Sequence, residues 1–113
     1  PATAREAAFQ TLELVRDSSR RLSDAWQQVQ SAAALGPLDR NLSRELAFGA
    51  YRREITLDVI LQHLVTRPLE NIEPPLRTLL HLGLYQLLFA EHIPPHAAVH
   101  ETVELAKKVG RLR

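Results

Sequence analysis

The chain has 113 residues, of which 45% are hydrophobic and 24% are charged, and its formal net charge at pH 7 is +1. This length and composition predict one globular domain over residues 1–113 and exclude an intrinsically disordered chain. The near-balance of charge does not by itself indicate nucleic-acid binding. Because the chain has no cysteine, disulfides, thiolate metal sites and a cysteine nucleophile are excluded. No stretch has the pattern of a secretion signal or a membrane span, so we expect a cytoplasmic protein with no membrane partner.

Four amphipathic helices are predicted in the first two thirds of the chain, because apolar residues recur there at helical spacing. Thr3 and Glu6 have the spacing of a capping box at the start of the first helix. Gly36-Pro37 is the clearest break in this region, and Thr56 is the predicted N-cap of the fourth helix. The predicted segments run from Ala2 to about Val15, from Leu22 to about Ala34, from Pro37 or Leu38 to Arg53, and from Thr56 to Arg67-Pro68.

The stretch from Pro74 to Ala90 is predicted to hold the central helix of the fold. Its large apolar side chains fall on almost every side of a helical wheel, which is typical of a helix buried on nearly all sides. Arg77, His81 and Gln86 interrupt the stretch too often for it to span a bilayer. The sequence therefore predicts an all-α bundle built around a buried central helix, about residues 75–90.

Two glycines lie inside predicted helices, Gly49 in the third and Gly83 in the central one. A glycine there costs about 1 kcal/mol relative to alanine, so we expect another helix to pack closely at each position. A last helix is predicted from Pro95 until Gly110 ends it. The side chains expected to face inward from this helix are Val99, Val103 and Ala106. The prediction is thus six helices and no sheet.

The sequence predicts no catalytic, cofactor-binding or metal site in this chain. A four-residue interval separates His92, His96, His100 and Glu104. Such spacing allows helical side chains to share a metal, but Pro94-Pro95 breaks the helix after the first of them. We therefore expect exposed or helix-capping histidines. His81 and Tyr85 could do acid–base work as a buried pair, or simply hydrogen-bond in the core.

Basic residues form clusters on the first helix and the turn after it, and at the ends of the third and last helices. Phosphate contacts are the functional interpretation, since arginine binds phosphate in a bidentate manner. The alternative is that cations at helix C-termini are stabilised by the helix dipole. The arginines predicted to contact RNA are Arg5, Arg16, Arg20, Arg21, Arg52 and Arg53.

Three segments resemble the NusB-like family. The residues Leu38-Asp39-Arg40, Arg44-Glu45-Leu46-Ala47-Phe48-Gly49 and Arg52-Arg53 are similar to its "DR…ELvyG…RR" signature. Residues 79–89, LLHLGLYQLLF, resemble its central helix, and residues 93–107, IPPHAAVHETVELAK, resemble its "iP…avNEaVELAK" segment. Within the family, LGLYQLLF and PPHAAV are most similar to the N-terminal domain of the Sun/Fmu (RsmB-type) small-subunit ribosomal RNA cytosine-C5 methyltransferases.

This resemblance implies a NusB-like helical bundle that binds RNA, with small-subunit ribosomal RNA as the expected partner. It also implies a separate methyltransferase domain in a longer protein, with S-adenosylmethionine bound there and no cofactor in this chain. Arg5 is the nearest match to the arginine-rich stretch that contacts RNA in NusB proper. His100 stands where the family usually has Asn. The family's final helix is expected to be absent after Arg113, which would leave an apolar face that allows a homodimer.

The leading hypothesis is a non-catalytic RNA-binding and substrate-positioning module of a small-subunit ribosomal RNA (cytosine-C5) methyltransferase. One alternative is a stand-alone NusB-type transcription antitermination factor that binds leader RNA and a ribosomal protein. The other is a protein-interaction scaffold that packs on its own catalytic domain and scarcely touches RNA. The sequence leaves the RNA target and the oligomeric state open.

Overall fold

The computed structural model describes residues 3–111, apart from the side chain of Arg111. Within this range the chain forms helices and no strand, as the sequence predicts. A single 3-10 turn, Leu69–Asn71, joins the fourth helix to the fifth. No helix in the described range is long and apolar enough to cross a membrane. The helices are α1 (Ala4–Ser18), α2 (Leu22–Ala33), α3 (Pro37–Arg52), α4 (Glu54–Leu64), α5 (Pro74–Phe89) and α6 (Pro95–Arg111).

The start of α1 follows the capping signal in the sequence. The Thr3 hydroxyl accepts a hydrogen bond from the backbone N–H of Glu6 at 3.0 Å, which satisfies one of the unpaired donors at a helix start. The predicted start at Ala2 lies outside the described residues. The helix runs three residues past the predicted end at Val15, and Ser19 closes it in the left-handed conformation (φ 58°).

The predicted start of α4 at Thr56 is wrong, because the helix begins at Glu54. Only Arg53 separates it from α3. The N–H of Arg53 donates to the carbonyl of Gly49, and the carbonyl of Arg53 accepts from Leu57. One residue therefore closes α3 and opens α4, and no polar side chain caps the junction. The helix ends at Leu64, before the predicted stop, since Val65 is already extended.

Helix α5 packs against α1, α3, α4 and α6, which confirms the predicted bundle around a central helix. Its burial is less complete than the leucine pattern predicts: Leu76, Leu87 and Leu88 are 46%, 44% and 51% exposed. Tyr85 and Gln86 are buried in their place, at 8% and 1% exposed. Hydrophobicity alone therefore does not decide which side of α5 faces its neighbours. Gln86 is stable inside because its side chain is hydrogen-bonded, whereas Tyr85 is buried because its ring packs on Gly49.

The prediction that Val99 and Val103 face inward from α6 is wrong, since they are 51% and 47% exposed. The buried face of α6 instead carries Ala98 and Leu105, while Ala106 packs at the edge of the core. The smaller residues of α6 meet α5, where they allow the two helices to approach closely. The exposed valines leave an uncovered apolar strip, and the helix continues past Gly110 to Arg111.

The two helical glycines differ in their surroundings. A Cβ atom on Gly49 would lie 2.2 Å from Cζ of Tyr85, so the end of the Tyr85 side chain occupies the space that a side chain at position 49 would need. A Cβ atom on Gly83 would lie 3.4 Å from Cγ2 of Thr102, an ordinary van der Waals contact. The expected close approach is therefore confirmed at Gly49, whereas a methyl group would fit at Gly83.

Candidate nucleic-acid interface

One face of α3 carries a basic residue on most of its turns. Arg40, Arg44, Phe48 and Arg52 are spaced by four residues. Residues at this spacing lie above one another on the same side of a helix. The three arginines are exposed, whereas Phe48 is buried beneath them. Together with Arg53, which directly follows the helix, they form what we call the α3 arginine surface: Arg40, Arg44, Arg52 and Arg53.

Two aromatic rings contact the guanidinium group of Arg44. The guanidinium carbon of Arg44 lies 4.1 Å from the centre of the Phe48 ring and 5.7 Å from that of Trp26. The two rings meet edge to face, with centroids 6.3 Å apart. Trp26 is fixed further by its indole N–H, which donates to the Ser43 hydroxyl at 3.1 Å. Such contacts stabilise a cation by about 0.5–1 kcal/mol at exposed sites and orient its plane.

A second contact of the same kind lies where α3 ends. The guanidinium carbon of Arg53 is 4.2 Å from the centre of the Phe89 ring, at the C-terminus of α5. That of Arg52 is 5.8 Å from the Phe48 ring. The junction of α3 and α4 thus places two adjacent arginines over rings from two different helices.

The charge of the α3 arginine surface is not neutralised within the described part of the chain. No ion pair joins any of its four arginines to a carboxylate of residues 3–111. The nearby carboxylate of Glu45 lies 3.1 Å from Nε2 of His92. Burial raises the pKa of the Tyr85 hydroxyl and Glu45 adds to this effect, while Arg53 and Arg52 oppose it. The Tyr85 hydroxyl therefore remains protonated at neutral pH, and the field of these arginines reaches the side of α5.

A cavity of about 350 Å³ opens between this surface and α5. Arg44 and Arg52 stand at its edge, together with Glu45. Its remaining lining residues are Asn41, Phe48, Gly49 and Tyr85.

The predicted RNA-contacting arginines fall into separate environments. Arg52 and Arg53 belong to the α3 arginine surface. Arg5 lies in the first turn of α1. Its Nε donates to the side-chain oxygen of Gln86 at 2.7 Å. Because Gln86 and Phe89 lie on adjacent turns of α5, Arg5 and Arg53 approach the same half of that helix.

Arg16 is compensated within the chain. Its guanidinium bonds both carboxylate oxygens of Glu13 at 2.6 Å and Asp17 at 3.0 Å. Burial by itself would lower the pKa of Arg16, but the hydrogen bonds to Asp17 and Glu13 raise it. Two carboxylates beside one cation make this position less attractive to a phosphate.

Arg20 and Arg21 precede α2 and are exposed. Neither forms an ion pair with a carboxylate in the described range. Arg21 is the N-cap residue of α2 and its side chain makes no capping hydrogen bond. Trp26, which contacts Arg44, lies five residues after Arg21 in α2. Because a helix rises about 1.5 Å per residue, the two positions are about 8 Å apart along the helix axis.

Two members of the α3 arginine surface, Arg40 and Arg44, are missing from the set of arginines predicted to contact RNA. The signal was in the sequence as the four-residue spacing from Arg40 to Arg52. What the sequence did not show is that Trp26, from another helix, completes the support of Arg44.

The histidine patterns do not form the arrangements that their spacing allows. His81 contacts Asp58 through Nε2 and Oδ1 at 2.7 Å, whereas Tyr85 packs on Gly49, so the two do not form a pair. His92 is held by Glu45 and does not join His96 or His100. Within the described residues, no three histidine, aspartate or glutamate side chains are grouped so that they could hold a metal ion.

Comparison with known proteins identifies the class. The sequence profile of the NusB family matches residues 2–113, and the chain belongs to the NusB family. A protein chain in the crystal structure of a plectonemic RNA supercoil superposes with a TM-score of 0.86 at 22% identity, covering 94% of this chain and 78% of that one. That likeness shows the same fold.

Relatives narrow the class further. The probable ribosomal RNA small subunit methyltransferase B of Synechocystis sp. is 40% identical, over 96% of this chain and 24% of its own length. The ribosomal RNA small subunit methyltransferases B of Salmonella typhi and of Escherichia coli O1:K1 are each 36% identical over 95% of this chain and 24% of their length. The chain thus spans about a quarter of these relatives and corresponds to their NusB-like N-terminal domain.

Proposed function

We propose that this chain is a non-catalytic RNA-binding module, which positions small-subunit ribosomal RNA for a methyltransferase domain of the same longer protein. S-adenosylmethionine would bind to that domain. The observation that carries the proposal is the α3 arginine surface. Three of its four cations lie over aromatic rings, and none has a carboxylate partner in the described chain. Membership of the NusB family supports RNA binding, and the similarity to ribosomal RNA methyltransferases favours this role over an antitermination factor.

The surface suits RNA for a physical reason. Phosphate contacts fix the register and orientation of a nucleic acid, while base contacts add sequence preference. Arg44 and Arg53 have already lost much of their rotational freedom to Phe48 and Phe89, so less side-chain entropy is lost when they bind a phosphate. A surface of this kind can hold RNA without taking part in the chemistry.

The remaining predicted arginines would extend this surface to different degrees. We propose that Arg20 and Arg21 contact phosphates, because both are exposed and unpaired in the described chain. Arg5 keeps its terminal nitrogens for a ligand, since only Nε is used by Gln86. Arg16 would contribute least, because Glu13 and Asp17 already neutralise it.

Substitution of Arg52 and Arg53 by Gln tests the proposal, with a small-subunit ribosomal RNA fragment as ligand. Four phosphate contacts to a single strand give a slope of log K against log salt of about −3, from about −0.7 per contact. We expect the double variant to bind more weakly and its slope to become shallower by about 1 to 2. Fluorescence anisotropy between about 50 and 200 mM salt measures both quantities.

Arg67→Gln is the matched control. Arg67 is exposed and lies beyond the far end of α4, about 16 Å along the helix from Arg53. The RNA affinity of the Arg67→Gln variant, and the salt dependence of that affinity, should equal those of the unmodified chain. An RNA affinity that neither salt nor the double substitution changes would contradict the proposal and favour a protein-interaction scaffold.

A further inference from the structure

The cavity between α3 and α5 has a chemistry that a phosphate site would lack. It is a depression of about 350 Å³ that is widely open to solvent. Arg44 and Arg52 supply positive charge to its lining, and Glu45 adds a carboxylate. A carboxylate repels phosphate and accepts hydrogen bonds from N–H groups. The cavity is therefore suited to a group that carries N–H donors and a flat face.

On the α5 side of the cavity, Tyr85 fits against α3 because Gly49 of α3 has no side chain. Tyr85 packs against Gly49, where a Cβ atom would lie 2.3 Å from the Tyr85 hydroxyl oxygen. The Tyr85 hydroxyl forms no hydrogen bond within residues 3–111, although the residue is only 8% exposed. The hydroxyl oxygen itself is accessible to solvent, since no buried side-chain nitrogen or oxygen of the described residues lacks a hydrogen-bond partner, so a ligand can reach it.

The Glu45 carboxylate lies beside the turn that follows α5. Its Oε1 lies 3.1 Å from Nε2 of His92 in the turn between α5 and α6. Beside it, the guanidinium plane of Arg44 is supported from below by Phe48 at 4.1 Å. A planar cation with an aromatic ring on one side can stack a nucleobase on its other side, as arginine does in complexes with single-stranded RNA.

We propose that this cavity binds one unpaired guanine of single-stranded RNA. The inference rests on the proposed RNA-binding function and adds a base-reading site to it. The base stacks on the Arg44 guanidinium, and its adjacent N1–H and N2–H groups donate to the carboxylate of Glu45. Uracil lacks an amino group on this edge and carries carbonyl oxygens on both sides of its single N–H. These oxygens would face the carboxylate unfavourably.

The test compares short uridine oligonucleotides with oligonucleotides in which one central uridine is replaced by guanosine, cytidine or inosine. A bidentate side-chain contact to a base discriminates against the wrong base, so we expect guanosine to bind about tenfold or more tightly than uridine. Inosine lacks the N2 amino group and should lose most of this gain. The single tryptophan of the chain, Trp26, lies 5.7 Å from the Arg44 guanidinium, so its fluorescence should change with the guanosine ligand.

Glu45→Gln separates base reading from phosphate binding. The variant keeps the shape of the side chain but loses the charge that accepts both N–H groups. We expect its preference for guanosine to fall by about tenfold, while its affinity for the uridine oligonucleotide is kept or rises. Glu101→Gln, an exposed carboxylate on α6, is the control for the change in net charge and should keep the preference.

The two hypotheses fail in different ways. Salt-dependent binding with equal affinity for guanosine, inosine and uridine would overturn the guanine site and leave the proposed function standing. A guanosine preference that survives in Glu45→Gln would also overturn the site. Failure to bind any oligonucleotide or the ribosomal RNA fragment would overturn the proposed function itself.

Discussion

Arg21 occupies a position where its charge is unfavourable for folding. An N-cap residue ordinarily accepts hydrogen bonds from the first turn, and the positive end of the helix dipole repels a cation. Arg21 makes no capping hydrogen bond at the start of α2. Arg52 differs, since a cation near the end of α3 is favoured by the dipole. The proposed phosphate contact of Arg21 would offset this unfavourable position.

Arg21→Ser should therefore change stability and binding in opposite directions. Serine caps a helix well, and we expect the free energy of unfolding to rise by about 0.5–1 kcal/mol. Loss of one phosphate contact should weaken RNA binding and make the salt slope shallower by about 1. Urea denaturation and anisotropy titration measure the two effects. A more stable variant with undiminished RNA affinity would remove Arg21 from the proposed surface.

Asp58 links α4 to α5 through contacts with Arg77 and His81. Its carboxylate accepts from Nη2 of Arg77 at 2.8 Å and contacts Nε2 of His81 at 2.7 Å. Partial burial by itself would raise the pKa of Asp58, but the hydrogen bonds from Arg77 and His81 outweigh it and lower the pKa. The hydrogen bond between Arg77 and Asp58 is also the main cause that raises the pKa of Arg77.

The lowered pKa of Asp58 predicts a loss of stability in acid. The unfolded chain takes up a proton near the ordinary carboxyl pKa of 3.8, whereas the folded chain takes it up only at lower pH. The stabilisation is therefore fully present above that value and is lost as the pH falls through the folded-state pKa. Urea denaturation at a series of acidic pH values should show a smaller loss for Asp58→Asn than for the unmodified chain. Equal losses in both would mean that another carboxylate carries the effect.

At the scale of the element, α3 is the helix on which packing and binding meet. One side brings Gly49 against Tyr85 of α5, and another presents the arginines over Phe48 and Trp26. Leu46 and Ala50 of the same helix are buried in the core. Residues on three sides of α3 thus contact α5, the aromatic rings and the core. A change in the distance between α3 and α5 therefore also moves the α3 arginine surface and the cavity beside it.

Gly49→Ala should destabilise the fold although alanine is the better helix former. Its methyl group would meet Tyr85 at 2.2 Å, and overpacking of this kind costs about 1–3 kcal/mol. Gly83→Ala is the matched control, because its methyl group meets Thr102 at 3.4 Å, and we expect it to be neutral or stabilising by up to about 1 kcal/mol. Thermal and urea unfolding of both variants measure the difference. Equal effects would show that the Tyr85 ring moves away without cost.

At the scale of the whole molecule, polar contacts join the first helix to the last two. Gln86 lies at the centre of this link: its side-chain oxygen accepts from Arg5, and its amide donates to the Thr102 hydroxyl at 3.1 Å. Lys108 of α6 also pairs with the mostly buried Glu6 of α1 at 2.9 Å. The side chains of α1, α5 and α6 thus specify one arrangement, with α5 in the middle.

The sequence by itself determined the fold class and most helix boundaries. Periodicity, capping residues such as Thr3 and breaks such as Gly36-Pro37 act within a few residues, so they can be read locally. The three segments that resemble the NusB family also indicated the class that the comparisons identify. Arg52 and Arg53 were recognisable as candidates because they are adjacent in the chain.

Only the tertiary structure decided which residues act together. The support of Arg44 by Trp26, the contact of Arg53 with Phe89 and the cavity beside Glu45 all join residues from different helices. The buried positions of Tyr85 and Gln86 likewise depend on partners distant in sequence, and for the same reason the inward face of α6 was predicted incorrectly. Local propensity specifies a helix, but its rotation about its own axis is set by the shapes and hydrogen bonds of the helices against which it packs.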